Sequence, residues 1–434
     1  MSRAGCGEHE GAGEYQGVVM RNGWQTKRLG DFAVAVSTGP FGSILHKSDY
    51  VEDGVPLVNP INIVGERIVP DQAKLISEVT KQRLTNYVLK EGDVVVARRG
   101  EIGRCAVIGP DEKGWVCGTG SFFIRPLPAI NSQFLAHLIR SDAYRERLEQ
   151  LSTGTTMKNL SNTSLGDLSI SVPSLSEQQR IVSVLDEVFD GIATAKANAE
   201  TNLLNARALF ASHLQSVFTQ RGEGWVEKRL GEICERVSVG HVGPTSEFYC
   251  GQSEGIPFLR SQNVRRGRLD WDGIQYVTKE FHQELRKSRL RAGDLLFVRV
   301  GANRGDCCSV PSDVGEINCA NIVFARLIER NADYLERYCE STHGRAQLLG
   351  MTTGSAQGVI NTSSVAELLV PIPPLLEQKR IVNSSNELQA ETQRLESIYQ
   401  RKLAALDDLK KSLLHQAFSG QLSESNHAHS ANTI

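Results

Sequence analysis

Apolar residues alternate along this chain between two textures. From Gly23 to Pro173 they come in short runs bounded by Gly, Pro and Asp. Val94-Val95-Val96-Ala97, entered through Gly92-Asp93, and Ser121-Phe122-Phe123-Ile124 each predict a buried strand. Phe134 to Leu151 has helical spacing, with Leu135, Leu138, Ile139, Leu148 and Leu151 on one side. The stretch predicts a mixed α/β domain of about 150 residues. The texture then changes. Ser174-Leu175-Ser176-Glu177 matches a capping box. Beyond it Ile181, Leu185, Val188, Ile192, Ala195, Ala199, Leu203, Ala206, Phe210, Leu214 and Val217 step by three or four, and no proline intervenes before Gly222. That spacing predicts a helix about 66 Å long. Gly191, which costs about 1 kcal/mol relative to alanine, is a candidate bend.

The same text is then written again. Gly23-Trp24 and Lys27-Arg28-Leu29-Gly30 return as Gly224-Trp225 and Lys228-Arg229-Leu230-Gly231. Leu89 to Asp93 returns as Leu290 to Asp294, with Arg98 and Gly100 matched by Arg299 and Gly301. Thr153-Gly154 and Glu177-Gln178 return as Thr353-Gly354 and Glu377-Gln378. The second helix carries Ile381, Leu388 and Leu395 seven apart, then Tyr399, Leu406 and Leu413 seven apart. Heptad spacing on a polar helix asks for a partner, and the other long helix supplies one, packed antiparallel. The expected layout is an N-terminal disordered extension (1–22), a globular domain (23–175), a long helix (176–222), a second domain (223–375), a second helix (376–420) and a disordered tail (421–434). Met20, just ahead of the first repeat, is a candidate start. The fold class is α/β (α+β), two duplicated mixed domains separated by an antiparallel coiled coil, and pseudo-twofold.

Composition narrows the function. Hydrophobic residues at 40% and charged residues at 23% of 434 fit an ordinary globular protein. No apolar run approaches a membrane span, and no signal-peptide pattern opens the chain. Nine cysteines without a C-x-x-C pair predict neither a zinc site nor a disulfide framework, and point to thiols in a reducing cytoplasm. The net charge is only −2, but Arg260 to Arg304 holds eleven Lys or Arg against five Asp or Glu. Such a strip is a candidate phosphate footprint.

Catalytic motifs do not emerge. There is no phosphate-cradling G-x-x-x-x-G-K-[ST], no G-x-G-x-x-G after a strand and no H-E-x-x-H. Asn59-Pro60-Ile61-Asn62 lacks the second proline and the aromatic of the amino-methyltransferase motif that stacks a flipped base. Pro70-Asp71 has no Asp/Glu-x-Lys at a workable distance, and Asp408-Leu409-Lys410 lies on the second helix. The expected work is binding.

From about Gly23 to Leu422 the chain resembles the specificity subunit of type I restriction-modification enzymes. Four features carry the resemblance. Each unit opens on Trp, basic residues and Leu-Gly. Each has a Gly-Asp strand followed by Arg and Gly. Each closes on Thr-Gly, Asn-Thr-Ser and Pro-x-Leu-x-Glu-Gln before its helix. The chain reaches Leu413-Leu414-His415-Gln416-Ala417-Phe418-Ser419-Gly420-Gln421-Leu422. The resemblance implies a non-catalytic DNA reader with two target recognition domains, one for each half of a bipartite double-stranded target. It implies two modification subunits docked on the helices and two restriction (motor-nuclease) subunits. S-adenosylmethionine, ATP and Mg would then be used by those partners, with no cofactor or metal bound by this chain.

Bases are read by bidentate Arg, Asn and Gln, while other basic groups and backbone N–H position the duplex. On that chemistry the DNA-binding candidates are Phe41, Ser43, Lys47, Arg98, Arg99, Arg104, Lys158 and Asn159 in the first unit. In the second they are Arg260, Gln262, Asn263, Arg265, Arg266, Arg299, Asn303 and Arg304. Candidate docking residues on the helices are Ile181, Leu185, Val188, Leu203, Phe210, Ile381, Leu388, Leu395, Leu406 and Leu413. Two other readings stay open: a duplicated protein-binding scaffold, or a subunit of a related methyltransferase-only system. A self-contained methyltransferase or nuclease with degenerate motifs is a further rival.

Overall fold

The computed structural model describes residues 23–72, 74–153, 159–329, 331–350, 358–419 and 421–422. Lys158, the extension over 1–22 and most of the tail lie outside them. The chain divides into two compact units. One runs to Ala197 and resumes at Ala404, and the other spans Asn198–Leu403.

In the first unit, the predicted strand Val94–Ala97 lies in a four-stranded antiparallel sheet. Its order is Ala33–Thr38, Ser121–Pro126, Val94–Ala97, Cys105–Val107. All four residues of Val94–Ala97 are buried, so the strand reads as an unbroken apolar run. A second sheet orders Val116–Cys117, Val55–Val58, Leu75–Ile76 and Tyr50–Val51. The expected helix from Phe134 to Leu151 is instead two, Ser132–Arg140 and Asp142–Gln150. Ser141 breaks it by adopting an extended conformation (φ −63°, ψ 143°), and its hydroxyl donates to the Leu138 carbonyl at 2.7 Å. Serine competes for helix carbonyls in this way.

The second unit repeats the plan. Its main sheet orders Cys234–Val239, Ile322–Leu327, Leu295–Val298 and Cys307–Ser309. Two short helices, Ala332–Glu340 and Thr342–Gly350, follow. In both units the first strand pairs antiparallel with the last, Gln25–Arg28 with Ser169–Val172 and Val226–Arg229 with Leu369–Ile372. Each domain is therefore closed just where the chain leaves for its long helix.

The helices run Leu175–Thr219 and Leu375–Ser419, 45 residues each, and the first passes through Gly191 unbroken. Ser174 Oγ accepts from the Glu177 backbone N–H at 3.4 Å, so the cap stands where the sequence places it. The repeated glutamine has a clear task. Buried Gln178 donates to the carbonyls of Ala129 (3.1 Å) and Pro173 (2.9 Å) and accepts from Asn131 N–H (2.8 Å). Gln378 donates to Pro373 at 2.9 Å.

Within each unit, segments of the two helices pack antiparallel. In the first, Lys196 pairs with Asp407 at 2.7 Å, while Leu185 shares a core with Leu414 and Ala417. In the second, Arg207 pairs with Glu396 at 3.2 Å and His213 meets Ser385 at 3.4 Å. This corrects the reading of the heptad residues. Ile181, Leu185 and Ile381 are 2%, 1% and 4% exposed and belong to the chain's own cores. Val188, Leu406 and Leu413 pack against the first core, and Phe210 against the second. Leu203, Leu388 and Leu395 are half-buried. Side chains already spent inside the molecule offer a partner little area. The apolar side chains open to solvent on the helices are others, among them Leu204, Leu376 and Leu409.

Candidate nucleic-acid interface

The repeated Gly-Asp turn builds the platform. Gly92 and Gly293 adopt φ of +83° and +82°, conformations in which a side chain is strained. The aspartate that follows is interior. Asp93 accepts from Lys90 N–H at 2.8 Å and takes a two-pronged ion pair from Arg125 (2.9 and 2.7 Å). Asp294 does the same with Arg291 N–H (2.8 Å) and Arg326 (2.9 and 2.6 Å). A bidentate guanidinium holds one geometry, so the strand leading to Arg98 or Arg299 has a fixed direction.

Loops gather at the end of that strand in the first unit. Arg98 N–H donates to the Gly120 carbonyl (3.1 Å), and Thr119 Oγ1 donates to the Pro40 carbonyl (2.7 Å). Gly39 lies so close to Gly118 that a Cβ would stand 2.1 Å from its carbonyl oxygen. Arg98 Nε donates to Asn159 Oδ1 at 3.0 Å, and its guanidinium covers the Phe122 ring at 5.5 Å. Burial, then the neighbouring Arg99, holds Arg98 below the usual guanidinium value. The structure thus brings together Arg98, Arg99, Asn159 and the Pro40 loop, on which Phe41 is 56% exposed. Ser43 lies in a short 3-10 turn, Gly42–Ile44, and Lys47 opens another exposed turn. Arg104 is turned inward, donating to the Pro60 carbonyl.

The second unit sorts its candidates differently. Arg260 and Gln262 both donate to the Gly273 carbonyl, at 3.2 and 3.5 Å. Asn263 requires a correction. It is fully buried, accepts from Arg260 N–H at 3.0 Å and donates to the Asp270 carbonyl at 3.0 Å. Asn62 repeats this in the first unit, accepting from Asn59 N–H and donating to Val69. An amide enclosed this way has no free edge for a base, so the repeated asparagine builds a turn.

Arg265 leans on Asp270 at 3.6 Å, and Arg266 donates to the Glu340 carbonyl, apart from the Arg260 pair. Arg304 donates to the Gly358 carbonyl at 2.5 Å, and its own carbonyl receives Arg345 at 3.2 Å. Asn303 caps that turn by accepting from Asp306 N–H at 2.9 Å. Arg299 is half-buried, and its carbonyl accepts from Ile360 N–H at 3.1 Å. Leu160 N–H meets Arg98 in the same manner at 3.2 Å.

Two features escaped the sequence reading. Trp271 stands 43% exposed on the loop that Asn263 clamps, signalled only by a lone tryptophan between two aspartates. Asn321, in a left-handed conformation (φ 52°), accepts Ser261 Oγ on its carbonyl at 3.2 Å. All eight cysteines among the described residues are free, and burial raises the thiols of Cys105 and Cys234 to about 11 and about 12. Among the described residues no His, Cys, Asp and Glu gather as a metal site, and no helix is long and apolar enough to cross a membrane.

Residues 21–204 match the family described as the type I restriction modification DNA specificity domain. The EcoKI specificity subunit of Escherichia coli K12 is 26% identical over 395 residues, covering 86% of this chain and 83% of that one. The MjaIX specificity subunit of Methanocaldococcus jannaschii is 21% identical, covering 81% and 83%. The crystal structure of the HsdS subunit from Thermoanaerobacter tengcongensis superposes with a TM-score of 0.59 at 22% identity, covering 93% of this chain and 99% of that one. A chain from a structure of type I restriction-modification assembly and conformational transition reaches 0.74, with the same identity and coverage. These two share the fold. With its duplicated sheet-and-helix plan, the chain carries a type I restriction modification DNA specificity domain over residues 21–204 and is similar to type I specificity subunits along most of its length.

Proposed function

We propose that this chain is the DNA-reading component of a type I restriction-modification complex. Each globular domain reads one half of a bipartite target. The long helices hold the domains apart and dock two modification subunits, with two motor-nuclease subunits completing the complex. Chemistry is left to those partners, which would use S-adenosylmethionine, ATP and Mg, and this chain contributes no catalytic group.

One observation carries the reading. The arginine after the Gly-Asp strand is anchored to the segment beyond the Thr-Gly loop in both units, Leu160 to Arg98 and Ile360 to Arg299. The same loop pair is therefore presented twice, which suits a target with two half-sites about 34–36 Å apart. The test is to express the chain with its modification subunit and map methylated adenines by long-read sequencing. A split motif with an unspecified gap is expected. Methylation without sequence preference, or DNA binding indifferent to salt, would return the chain to the scaffold reading.

A further inference from the structure

Each domain lays a two-strand hairpin toward its own helices, and the two hairpin tips carry opposite charge. In the first unit the hairpin Ile63–Val64 with Arg67–Ile68 turns through Gly65-Glu66. In the second, Val264–Arg265 with Arg268–Leu269 turns through Arg266-Gly267. Gly65 and Gly267 take positive φ, +62° and +70°, so each two-residue turn has room for one charged side chain.

The surroundings are inverted to match. Glu66 receives Arg140 at 3.1 Å and Lys410, from the second long helix, at 2.7 Å. Arg266 donates instead to the carbonyl of Glu340, whose carboxylate holds Arg337 at 2.6 Å. Arg140 and Glu340 are the corresponding last residues of the corresponding helices Ser132–Arg140 and Ala332–Glu340. Lys410 has Phe210 as its counterpart, two hundred residues earlier in the repeat, with the Arg337 guanidinium 5.7 Å from its ring. The seam continues with His137 on Asp186 (2.9 Å) in one unit and Arg337 on Asn386 (2.8 Å) in the other. Burial pushes Glu66 up but Arg140 and Lys410 outweigh it, leaving it below the usual value, whereas burial keeps Glu340 above it.

We propose that these hairpin tips are charge-keyed positioning elements, each matched to the helices of its own unit, so that the two recognition domains cannot exchange seats. A partly buried ion pair contributes little net stability against an apolar alternative, but a mismatched charge in the same place is costly. Placed in the first seat, the Arg266 tip would face Arg140 and Lys410, a cluster of three cations. Placed in the second, the Glu66 tip would face Glu340. The key specifies the arrangement more than it strengthens it.

The test exchanges the charges of the two turns within the full chain and leaves their glycines in place. One variant carries Glu66→Arg. A second adds Arg140→Glu and Lys410→Glu, restoring opposite charge around the foreign tip. Amide hydrogen exchange at Ile63, Val64, Arg67 and Ile68 reads the seating. The first variant should exchange at least about tenfold faster there, and the second should return to within about threefold of the parent. The mirror pair in the second unit, Arg266→Glu and then Arg266→Glu with Glu340→Arg, should behave alike. If the misfit turn is protected like the parent, or the compensated one stays open, the key is refuted. Should the first variant fail to fold, recovery of folding and protection in the compensated variant sustains the proposal, and failure of both overturns it.

Discussion

At the residue scale, what repeats is mostly architecture and what differs is exposed. Asp93 and Asp294 sit inside with a paired arginine and a capped turn. Asp93→Ala removes one partner of a buried pair and strands Arg125, so it should cost about 3–5 kcal/mol in denaturant unfolding of the first unit. A loss under 1 kcal/mol, on the order of a surface ion pair, would mean the pair is solvated in practice. Arg99 and Arg304 should separate in kind. Arg99 is exposed beside the loop cluster, so Arg99→Ala should leave unfolding unchanged and lower the slope of log affinity against log salt by about one. Arg304 is tied to Gly358, so Arg304→Ala should loosen that loop and cost about 1–2 kcal/mol before any effect on DNA is read. Reversed results would exchange their roles. His137 adds a pH dependence. Burial first, then Arg140, holds its imidazole below the usual value, against the upward pull of Asp186 and Glu66. The unfolded chain takes up the proton first, so this contribution is whole above about pH 6.5 and is lost as pH falls toward the folded value. His137→Asn should flatten that acid-side slope in unfolding measured across a pH series, with His282, depressed chiefly by burial, leaving a residual one.

At the element scale, the long helices were legible because a 3.6-residue apolar step over forty residues has no competing explanation. Strand Val94–Ala97 was legible for the opposite reason, being short, apolar throughout and entered by a glycine turn. The break at Ser141 was not legible, since apolar spacing is blind to one serine turning its hydroxyl back on the helix. Nor did the helices announce which face is inward. A heptad position looks the same whether it meets a partner subunit or its own domain, and Ile181 and Ile381 meet their own. The candidate interface suffered from the same ambiguity: Asn263 and Arg98 both look like readers, and only burial separates them. Helix length makes the element-scale prediction. Four residues inserted near Ala199 add about one turn, ~6 Å, and keep most of the apolar face in phase. With part of that absorbed by tilt, the unspecified gap of the methylated motif should grow by about one base pair, and both half-sites should stay unchanged. A gap of parental length at full activity would show that the helix does not set the spacing.

At the scale of the whole molecule, duplication gives two domains built on nearly the same scaffold. Each domain is closed by its own first and last strands, paired in a separate two-stranded sheet, Gln25–Arg28 on Ser169–Val172 and Val226–Arg229 on Leu369–Ile372. A domain bounded by such a pairing can be cut out at its ends without breaking a sheet, although its core is shared with the long helices through residues such as Ile181 and Leu185. Among the described residues, the loops that gather around Arg98 draw on the first unit and those around Arg260 and Arg299 on the second. Replacing residues 24–173 with the corresponding domain of a relative should therefore change one half of the methylated motif and leave the other as it was. The replacement must also satisfy the helix surface it lands on. A donor whose hairpin tip is acidic keeps the pairing with Lys410, whereas a basic tip meets a cation there and should assemble poorly until Lys410 is changed to match. Mapping methylated sites for both kinds of donor distinguishes the two requirements. A motif altered in both halves by an acidic-tipped donor would mean that the domains read the target jointly, and independence of the two loop sets would have to be given up.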